Sequence, residues 1–311
     1  MKSIAIIGAG QLGSRHLQAI ALCGLGLSIF VVDPVEESLN ISEKRFLEVD
    51  NYHNKQLFFV RSVKELPSVL DFVVIATSSK QRLSVLKELL QNSKVSYLLL
   101  EKFLFPIIEE YKEALNLIEE KQVKVYVNCA RRMWTSYQDF KNKLIPNSKI
   151  QLKVTGSNWN LASNAIHFLD LFFYLTNDET MIIDTSKLDN ELIKNKRKGY
   201  IELSGTLTGH TKSGNYFSLT SIVSDSVTSE VIIESGKQRY IIKEGLQEIQ
   251  TNNISEKFVM FHQSELTHIV FEQLLETGEC SLVPFERSIQ DHLLLLKAFN
   301  KVLNGREGAI T

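Results

Sequence analysis

The 311-residue sequence has few of the features that mark secreted, membrane or nucleic-acid-binding proteins. Its three cysteines, Cys23, Cys129 and Cys280, are widely spaced and form no CxxC or CxxH pattern, so we expect neither disulfides nor a metal site. The net charge is −1 with acids and bases interspersed, which argues against a nucleic-acid partner or a membrane surface. No apolar run has the length of a membrane span, and none near the start resembles a signal peptide. We therefore expect a cytoplasmic protein.

The first 33 residues contain the pattern that organises the rest of the chain. The apolar run Ile4–Ile7 is followed by Gly8-Ala9-Gly10-Gln11-Leu12-Gly13, by a helical segment and by a second apolar run that ends before Asp33. This succession is typical of a βαβ unit that binds a dinucleotide. The first glycine permits a tight turn, the second permits a pyrophosphate to approach the backbone, and the third permits close helix–strand packing. The alternative is a glycine turn with a structural role only.

The same unit predicts which dinucleotide binds. The helix N-terminus, at Gln11 and Leu12, offers unpaired N–H groups to the phosphates. Asp33 lies twenty residues after Gly13 and would accept both hydroxyls of the adenosine ribose while repelling a 2′-phosphate. Because no arginine stands directly beside Asp33, we predict NAD as the cofactor in preference to NADP.

Two later apolar runs end in polar residues, one before Thr77 and Ser78 and one before Glu101 and Lys102. Ligands of open α/β sheets bind at the carboxyl ends of the strands. We therefore predict that Thr77, Ser78 and Glu101 contact the cofactor and that Lys102 takes part in the chemistry. Thr77 and Ser78 could instead cap the next helix, and Lys102 could be a solvated strand end.

Two adjacent cations, Arg131 and Arg132, open a segment predicted to be helical to about Leu144. Cations in a first helical turn oppose the helix dipole, so this arrangement suggests a specific partner. We predict that Arg131 contacts an anionic or polyhydroxylated substrate, and the alternative is an ion pair with Asp139 or Glu101.

A polar loop and a helix follow. Asn158 and Trp159 combine amide groups with one aromatic ring, a composition that suits sugar recognition and equally suits the start of a helix. The helix predicted over residues 161–175 places Ser163, His167 and Asp170 on one stripe. A histidine three residues from an aspartate can orient a substrate or transfer a proton, although the spacing also fits a structural histidine.

From Tyr200 onward the sequence predicts a β-sheet followed by helices. The predicted strands are residues 200–207, 216–223, 231–234 and 240–243, and the predicted helices are residues 256–277 and 288–303. Both faces of the strand at 216–223 carry apolar residues, so we expect the outer face to meet another subunit.

Taken together, these segments resemble the Gfo/Idh/MocA oxidoreductase family. The matching features are the glycine segment through His16, Glu101-Lys102, Asn128, His167-Phe168-Leu169-Asp170, and the tail from Leu282-Val283-Pro284-Phe285-Glu286 to His292 and Leu295. The resemblance implies an N-terminal Rossmann domain with a doubly wound parallel sheet, and a C-terminal α+β domain with an open, mostly antiparallel sheet.

We accordingly divide the chain into a dinucleotide-binding domain over residues 1–127 and a substrate-binding and oligomerisation domain over residues 128–311. We expect the final helix to pack back on the first domain and the second sheet to form a homodimer or homotetramer. The resemblance also implies hydride transfer between NAD and a sugar-like alcohol or ketone, with Lys102 and His167 in proton transfer. The predicted substrate-binding residues are Arg131, Asn158, Trp159, Ser163, Asn164 and Asp170.

Three positions depart from the family pattern. Phe103 replaces the proline that usually follows the lysine, and because a non-proline cis bond costs about 2.5–4 kcal/mol, we expect a trans Lys102–Phe103 bond. Ser163 stands where an aspartate is common, four residues before His167, and its neighbour Asn164 cannot act as an acid. Arg82 stands where a histidine is usual.

Two other functions remain open at this stage. The chain could bind NAD and a sugar without catalysis and act as a regulator or sensor, or it could reduce a non-sugar such as an imine or a pyrrole. If Arg131 and Lys153 bind a carboxylate or phosphate, the substrate is a sugar acid or a nucleotide sugar.

Overall fold

The computed structural model describes residues 1–50, 52–146, 148–195, 199–252, 254–262 and 264–303, together with residues 308 and 310. The chain divides into two compact units. The first comprises Met1–Asn128 and Phe261–Ile289, and the second comprises Cys129–Met260 and Gln290–Thr311.

Strands and helices alternate through the first 128 residues. In chain order they are β1 (Lys2–Ile7), α1 (Gln11–Ile20), β2 (Leu27–Val32), α2 (Glu36–Leu47), β3 (Lys55–Val60), β4 (Val69–Ile75), α3 (Ser79–Asn92), β5 (Lys94–Leu100), α4 (Ile108–Lys121) and β6 (Lys124–Val127). The buried strands are near-continuous apolar runs, as in parallel sheets covered on both faces, and Phe72–Ile75 of β4 is fully buried. This regularity made the first unit predictable from its sequence.

The second unit is built on a largely antiparallel sheet. In chain order its elements are α5 (Thr135–Lys143), β7 (Ile150–Ser157), α6 (Leu161–Thr176), β8 (Ile182–Leu188), β9 (Ile193–Lys194), β10 (Ile201–Glu202), β11 (Gly205–His210), β12 (Tyr216–Ile222), β13 (Thr228–Ser235), β14 (Gln238–Lys243), β15 (Glu248–Thr251) and β16 (Ile254–Lys257). The main sheet has the order β16-β15-β14-β13-β7-β12-β11-β8, in which only β7 and β12 pair in parallel. The predicted α+β class with a mostly antiparallel sheet is therefore confirmed.

The last described elements are α7 (Thr267–Thr277), β17 (Val283–Pro284) and α8 (Phe285–Val302). Strand β17 pairs antiparallel with β6, so the first sheet has the order β17-β6-β5-β4-β1-β2-β3 with all other pairs parallel. Strands β2 and β3 lie on one side of β1, whereas β4, β5 and β6 continue the sheet on its other side. The strand order therefore reverses between β1 and β4, the position at which such sheets bind their ligands.

Residues 261–289 belong to the first unit, although the prediction placed them in the second domain. The physical reason is long-range packing, since Phe271 of α7 stacks on Phe72 of β4 at 5.2 Å and β17 extends the first sheet. The predicted boundary after residue 127 lies one residue from the observed one. That the final helix packs on the first domain stays a prediction.

Three predicted elements of the second unit differ from the structure. The helix expected over 131–144 is a 3₁₀ turn, Ala130–Met133, separated from α5 by the extended residue Trp134. The strand expected over 200–207 is divided into β10 and β11, because Ile201–Glu202 pair with β9 whereas the residues from Gly205 onward pair with β8 and β12. The helix expected over 256–277 begins only at Thr267, because residues 254–257 pair with β15 instead.

Helix α6 is buried on nearly every side, with 13 of its 16 residues buried, so the stripe of Ser163, His167 and Asp170 is enclosed like the apolar positions. A helix buried all round belongs to a domain core. Phe172 packs on Phe217 of β12 at 5.3 Å, which seats the helix on the sheet. None of the described helices combines the length and apolarity that crossing a membrane requires.

Gly156 in β7 provides a test of the second sheet. A Cβ at this position would lie 2.1 Å from the carbonyl oxygen of Thr228 on β13, so Gly156→Ala must displace a paired strand. We expect the free energy of unfolding to fall by about 1–3 kcal/mol, measured by denaturant titration. Gly24→Ala is the control, because its Cβ meets no described atom within 4 Å. Equal stability of the two variants would contradict the register of β7 and β13.

Candidate active site

The glycine-rich loop joins β1 to α1 at the ligand-binding edge of the first sheet. Gly8 has a φ of +93°, which disfavours any side chain, and its Cβ position lies 3.1 Å from the backbone nitrogen of Thr77. A Cβ at Gly13 would lie 1.6 Å from the carbonyl oxygen of Gly8, so only glycine allows α1 to pack this closely. At Gly10 an added Cβ would meet no described atom within 4 Å, so a ligand can approach the backbone closely there.

The first turn of α1 suits an anion. No side chain caps the helix at Gly10, and the turn contains no acidic residue, so the N–H groups of Gln11 and Leu12 and the positive end of the helix dipole are available to a phosphate. Arg45 of α2 adds a cation there, donating to the carbonyl oxygen of Gln11 at 3.2 Å and to its side-chain oxygen at 2.7 Å. Sequence reasoning missed Arg45, because it lies 34 residues from Gln11.

Asp33 lies beside the glycine loop. Its Oδ2 accepts from the backbone nitrogen of Ala9 at 2.8 Å and its Oδ1 accepts from that of Val35 at 2.9 Å. Each carboxylate oxygen has a second lone pair, so both can still accept a ribose hydroxyl. The geometry therefore fits the role predicted for Asp33.

The ends of β4 and β5 carry two buried oxygens that no described residue satisfies, Oγ1 of Thr77 and Oε2 of Glu101. Buried polar atoms are rarely left without a hydrogen bond, so unsatisfied ones mark a place where a ligand can supply the donor. Ser78 donates to the side chain of Gln81 at 3.3 Å and makes no cap to the backbone of α3. Thr77 and Glu101, with the open glycine loop and Asp33, fit a bound dinucleotide.

Glu101 is held by a buried network. His16 Nε2 lies 2.8 Å from Oε1 of Glu101, and Asn128 donates to the same oxygen at 2.5 Å. Burial alone would raise the pKa of the carboxyl, but His16, Asn128 and the charge of Arg82 outweigh burial, and the pKa lies below its ordinary value of 4.5. The separations of 85 and 27 residues explain why spacing did not reveal these partners, although the family resemblance includes both His16 and Asn128.

His16 has a partner at each ring nitrogen. Its Nδ1 lies 2.7 Å from the hydroxyl of Thr267, which donates to the carbonyl oxygen of Ser264 at 2.7 Å. Its Nε2 lies 2.8 Å from Oε1 of Glu101. The imidazole ring is therefore held between Thr267 and Glu101 inside the first unit.

Lys102 follows Glu101 and is half-buried. The Lys102–Phe103 peptide bond is cis, so the expected trans bond was wrong. That expectation considered the dipeptide alone, whereas in the fold Phe103 is fully buried and the carbonyl oxygens of Phe103 and Leu104 accept hydrogen bonds from Arg82.

In the second unit, His167 and Asp170 lie on α6 and are each 1% exposed. Asp170 accepts two hydrogen bonds from Arg132, at 2.9 Å from Nε and 2.6 Å from Nη2. Burial alone would lower the pKa of the Arg132 guanidinium, but the charge of Asp170 outweighs burial and raises it. Arg132 thus fixes the carboxylate three residues from His167, a partnership that the sequence pattern did not reveal.

Arg131, the predicted substrate contact, forms a bidentate ion pair with Glu244 at 2.8 and 2.7 Å. Tyr137 donates to the same carboxylate at 2.9 Å, and the guanidinium lies 4.2 Å from the ring centroid of Phe168. The ion-pair partner is therefore neither Asp139 nor Glu101, the two residues of the alternative, and the contact of Arg131 with a substrate stays a prediction. Lys153 similarly pairs with Glu234 at 3.0 Å.

The remaining predicted substrate residues bond within their own unit. Asn164 donates to the carbonyl oxygen of Trp159 at 2.7 Å, and the Trp159 indole donates to that of Thr220 at 2.8 Å. Asn158 donates to the carbonyl oxygens of Ser224 and Ser226. The roles of these residues toward a substrate stay predictions.

Ser163 contacts a carboxylate that the sequence analysis did not single out. Its hydroxyl donates to Glu202, a residue of β10 that is 3% exposed. Asn195 donates to the same carboxylate at 2.8 Å. The position where the family commonly has an aspartate is therefore occupied by a serine bonded to a buried glutamate.

The comparisons with known proteins agree with this geometry. The sequence model of the Gfo/Idh/MocA family, described as an oxidoreductase family with an NAD-binding Rossmann fold, matches residues 2–129. No curated protein matches the chain. The match confirms the predicted resemblance, the oxidoreductase class and the NAD-binding domain.

Solved structures share the fold over nearly the whole chain. UDP-N-acetylglucosamine 3-dehydrogenase GnnA from Acidithiobacillus ferrooxidans is 15% identical, with a TM-score of 0.72 and 96% of each chain covered. Scyllo-inositol dehydrogenase from Lactobacillus casei is 16% identical, with a TM-score of 0.67 and 97% of each chain covered. Biliverdin reductase from Synechocystis sp. PCC 6803 is 13% identical, with a TM-score of 0.71, covering 96% of this chain and 98% of that one. At these identities the similarity shows the fold alone.

Glu101→Gln tests the buried pair. The change removes the charge that faces His16, so we expect a loss of about 3–5 kcal/mol in the free energy of unfolding at pH 7. Because the pKa of Glu101 is lowered in the folded state, its ionisation stabilises the protein above its ordinary value of 4.5, and this stabilisation is lost as the pH falls below that value.

The difference between wild type and Glu101→Gln should therefore shrink below about pH 4.5, measured by denaturant titration across pH. Glu36→Gln is the control, since the Glu36 side chain is 70% exposed and pairs only with an exposed arginine among the described residues. A difference that stays constant down to acid pH would show that folding does not lower the pKa of Glu101.

Proposed function

Because residues 2–129 carry the NAD-binding domain of the Gfo/Idh/MocA oxidoreductase family, we propose that the chain transfers a hydride between NAD and a secondary alcohol or ketone of a sugar, sugar acid or nucleotide sugar. The observation that carries the proposal is the first-unit site. There Asp33, the open backbone at Gly10 and the unsatisfied oxygens of Thr77 and Glu101 lie at the carboxyl ends of the parallel strands. The carboxylate of Asp33 favours NAD over NADP, because it would repel a 2′-phosphate.

The polyhydroxylated substrate class draws support from two proteins of this fold. One is a dehydrogenase of UDP-N-acetylglucosamine, and the other was solved with NAD(H) and scyllo-inositol bound. Biliverdin reductase, solved with biliverdin and NADP⁺, has the same fold. Substrate screening should therefore include a linear tetrapyrrole and an imine beside sugars, sugar acids and nucleotide sugars.

The proposed roles use the chemistry of two residues. Bound NAD supplies or accepts the hydride. Lys102 exchanges the proton at the substrate oxygen through its amine, since it follows the anchored Glu101 at the end of β5. His167 takes part in the same proton transfer, and the carboxylate of Asp170, clamped by Arg132, holds a fixed charge on the same helix. Arg131 and Lys153 already face carboxylates, so an anionic substrate that binds them has to compete with Glu244 and Glu234.

A second candidate function is a sensor that binds NAD without turnover. The observation favouring it is Ser163, which stands where the family commonly has an aspartate and whose hydroxyl bonds to Glu202. Retention of Lys102 and His167 favours catalysis. The two functions differ in one measurable way, since a sensor binds NADH but never changes the nicotinamide absorbance.

Lys102→Ala and His167→Asn separate these functions. We measure NADH and NADPH binding by fluorescence and turnover on the substrate panel. If the proposal holds, both variants bind NADH as wild type does, with NADPH binding weaker, and each lowers kcat by about 100–10,000-fold, the usual contribution of general acid–base catalysis. Lys94→Ala, an exposed lysine at the start of β5, is the control. Full turnover in Lys102→Ala would reject its role.

We also propose that the chain assembles as a homodimer or homotetramer through the second sheet. On β12, Phe217 and Leu219 face the core, whereas Ile222 on the opposite face is 57% exposed. Ile222→Lys should lower the mass measured by light scattering, because a buried interface charge is costly. Leu47→Lys on α2, which is 52% exposed, is the control. An unchanged mass in Ile222→Lys would exclude this face.

A further inference from the structure

Arg82, in the first turn of α3, is a buried cation that the proposed chemistry does not yet use. It is 2% exposed and stands where the family usually has a histidine. Its Nη2 donates to the carbonyl oxygen of Thr77 at 2.6 Å, while its Nη1 donates to that of Leu104 at 2.7 Å and to that of Phe103. The side chain therefore binds three backbone oxygens of two separate segments.

These segments are the two strand ends on which the proposed site depends. Thr77 follows β4 beside the glycine loop, and Phe103 and Leu104 are the two residues after Lys102. Phe103, Leu104 and Phe105 are completely buried, so their carbonyl oxygens require donors from within the protein. Glu101 is anchored by His16 and Asn128 on the other side of Lys102. Lys102 therefore lies between Glu101, whose side chain is anchored, and Phe103 and Leu104, whose carbonyl oxygens are bound by Arg82.

We propose that Arg82 is the positioning residue of Lys102. Its guanidinium fixes the backbone that follows the amine-bearing residue and joins it to the end of β4. The planar fork of N–H groups, two on each terminal nitrogen, can bind carbonyls of two segments at once. A histidine has at most two ring N–H groups on opposite sides of the ring, and a lysine carries its three N–H groups on one atom. A histidine therefore cannot make all three bonds, and a lysine lacks the planar fork that spans the two segments.

This inference rests on the proposed role of Lys102, so its test includes a readout that needs no substrate. Arg82→His installs the usual family residue, and Arg82→Lys keeps the charge. Arg61→His is the matched control, because the Arg61 side chain is 61% exposed. Each protein is reductively methylated with ¹³C-formaldehyde. The Lys102 methyl resonance is assigned by its loss in Lys102→Ala and titrated with pH, and NADH affinity and turnover are measured in parallel.

In Arg82→His we expect the Lys102 resonance to move toward that of a solvated lysine, with an intermediate shift in Arg82→Lys and none in Arg61→His. NADH affinity should stay near wild type, and kcat should fall by about 100-fold, as for a displacement of about 1 Å at a reacting group. A structural role alone would lower stability without moving this resonance.

The remaining outcomes are also decisive. An unshifted Lys102 resonance in folded Arg82→His overturns the inference. If Arg82→His does not fold, Arg82→Lys decides by the same criterion, and if neither folds, Arg82 is a folding requirement and the inference is rejected. A wild type that turns over no substrate counts against the proposed function, while the resonance still decides the role of Arg82.

Discussion

The buried pair of His16 and Glu101 joins the helix after the glycine loop to the segment that contains Lys102. His16 lies on α1, Glu101 follows β5, Asn128 follows β6 and Thr267 is the first residue of α7. A buried carboxylate is tolerated only when its hydrogen-bonding partners are in place. The network therefore sets the relative positions of four elements, and a displacement of any of them leaves a buried polar group without its partner.

The close approach of Gly13 to Gly8 places α1 where His16 can contact Glu101. Helix α1 can lie against the loop because neither residue has a side chain, and His16, one turn later, reaches Glu101 from that position. The close packing that the glycines allow and the long-range contact between His16 and Glu101 thus specify the same position of α1. Agreement between the two levels is what gives a sequence one well-defined fold.

The sequence could predict the first sheet because its central strands, β1 and β4, are buried apolar runs and the segments between the strands are compatible with helices. These are local signals. The misassigned segments depend on distant partners, since residues 254–257 become a strand by pairing with β15, and α7 joins the first unit by stacking on Phe72. The glycine loop and Asp33 were recognisable for the same local reason. The partners of the site residues were not, because Glu101, Asp170 and Arg131 each find theirs 27 or more residues away.

Two residues that depart from the family pattern, Phe103 and Ser163, each form a hydrogen bond with a charged side chain. Phe103 stands in place of proline, and Arg82, which replaces a histidine, binds its carbonyl. Ser163 stands in place of an aspartate, and its hydroxyl is bonded to the carboxylate of Glu202, itself held by Asn195. In both places a neighbouring side chain provides part of what the replaced residue would provide. Arg82 restrains the backbone at Phe103, and Glu202 places a carboxylate beside Ser163. A residue that is replaced in a motif is therefore best judged with the contacts that surround it, because the surroundings decide whether the motif has been lost or rebuilt from other side chains.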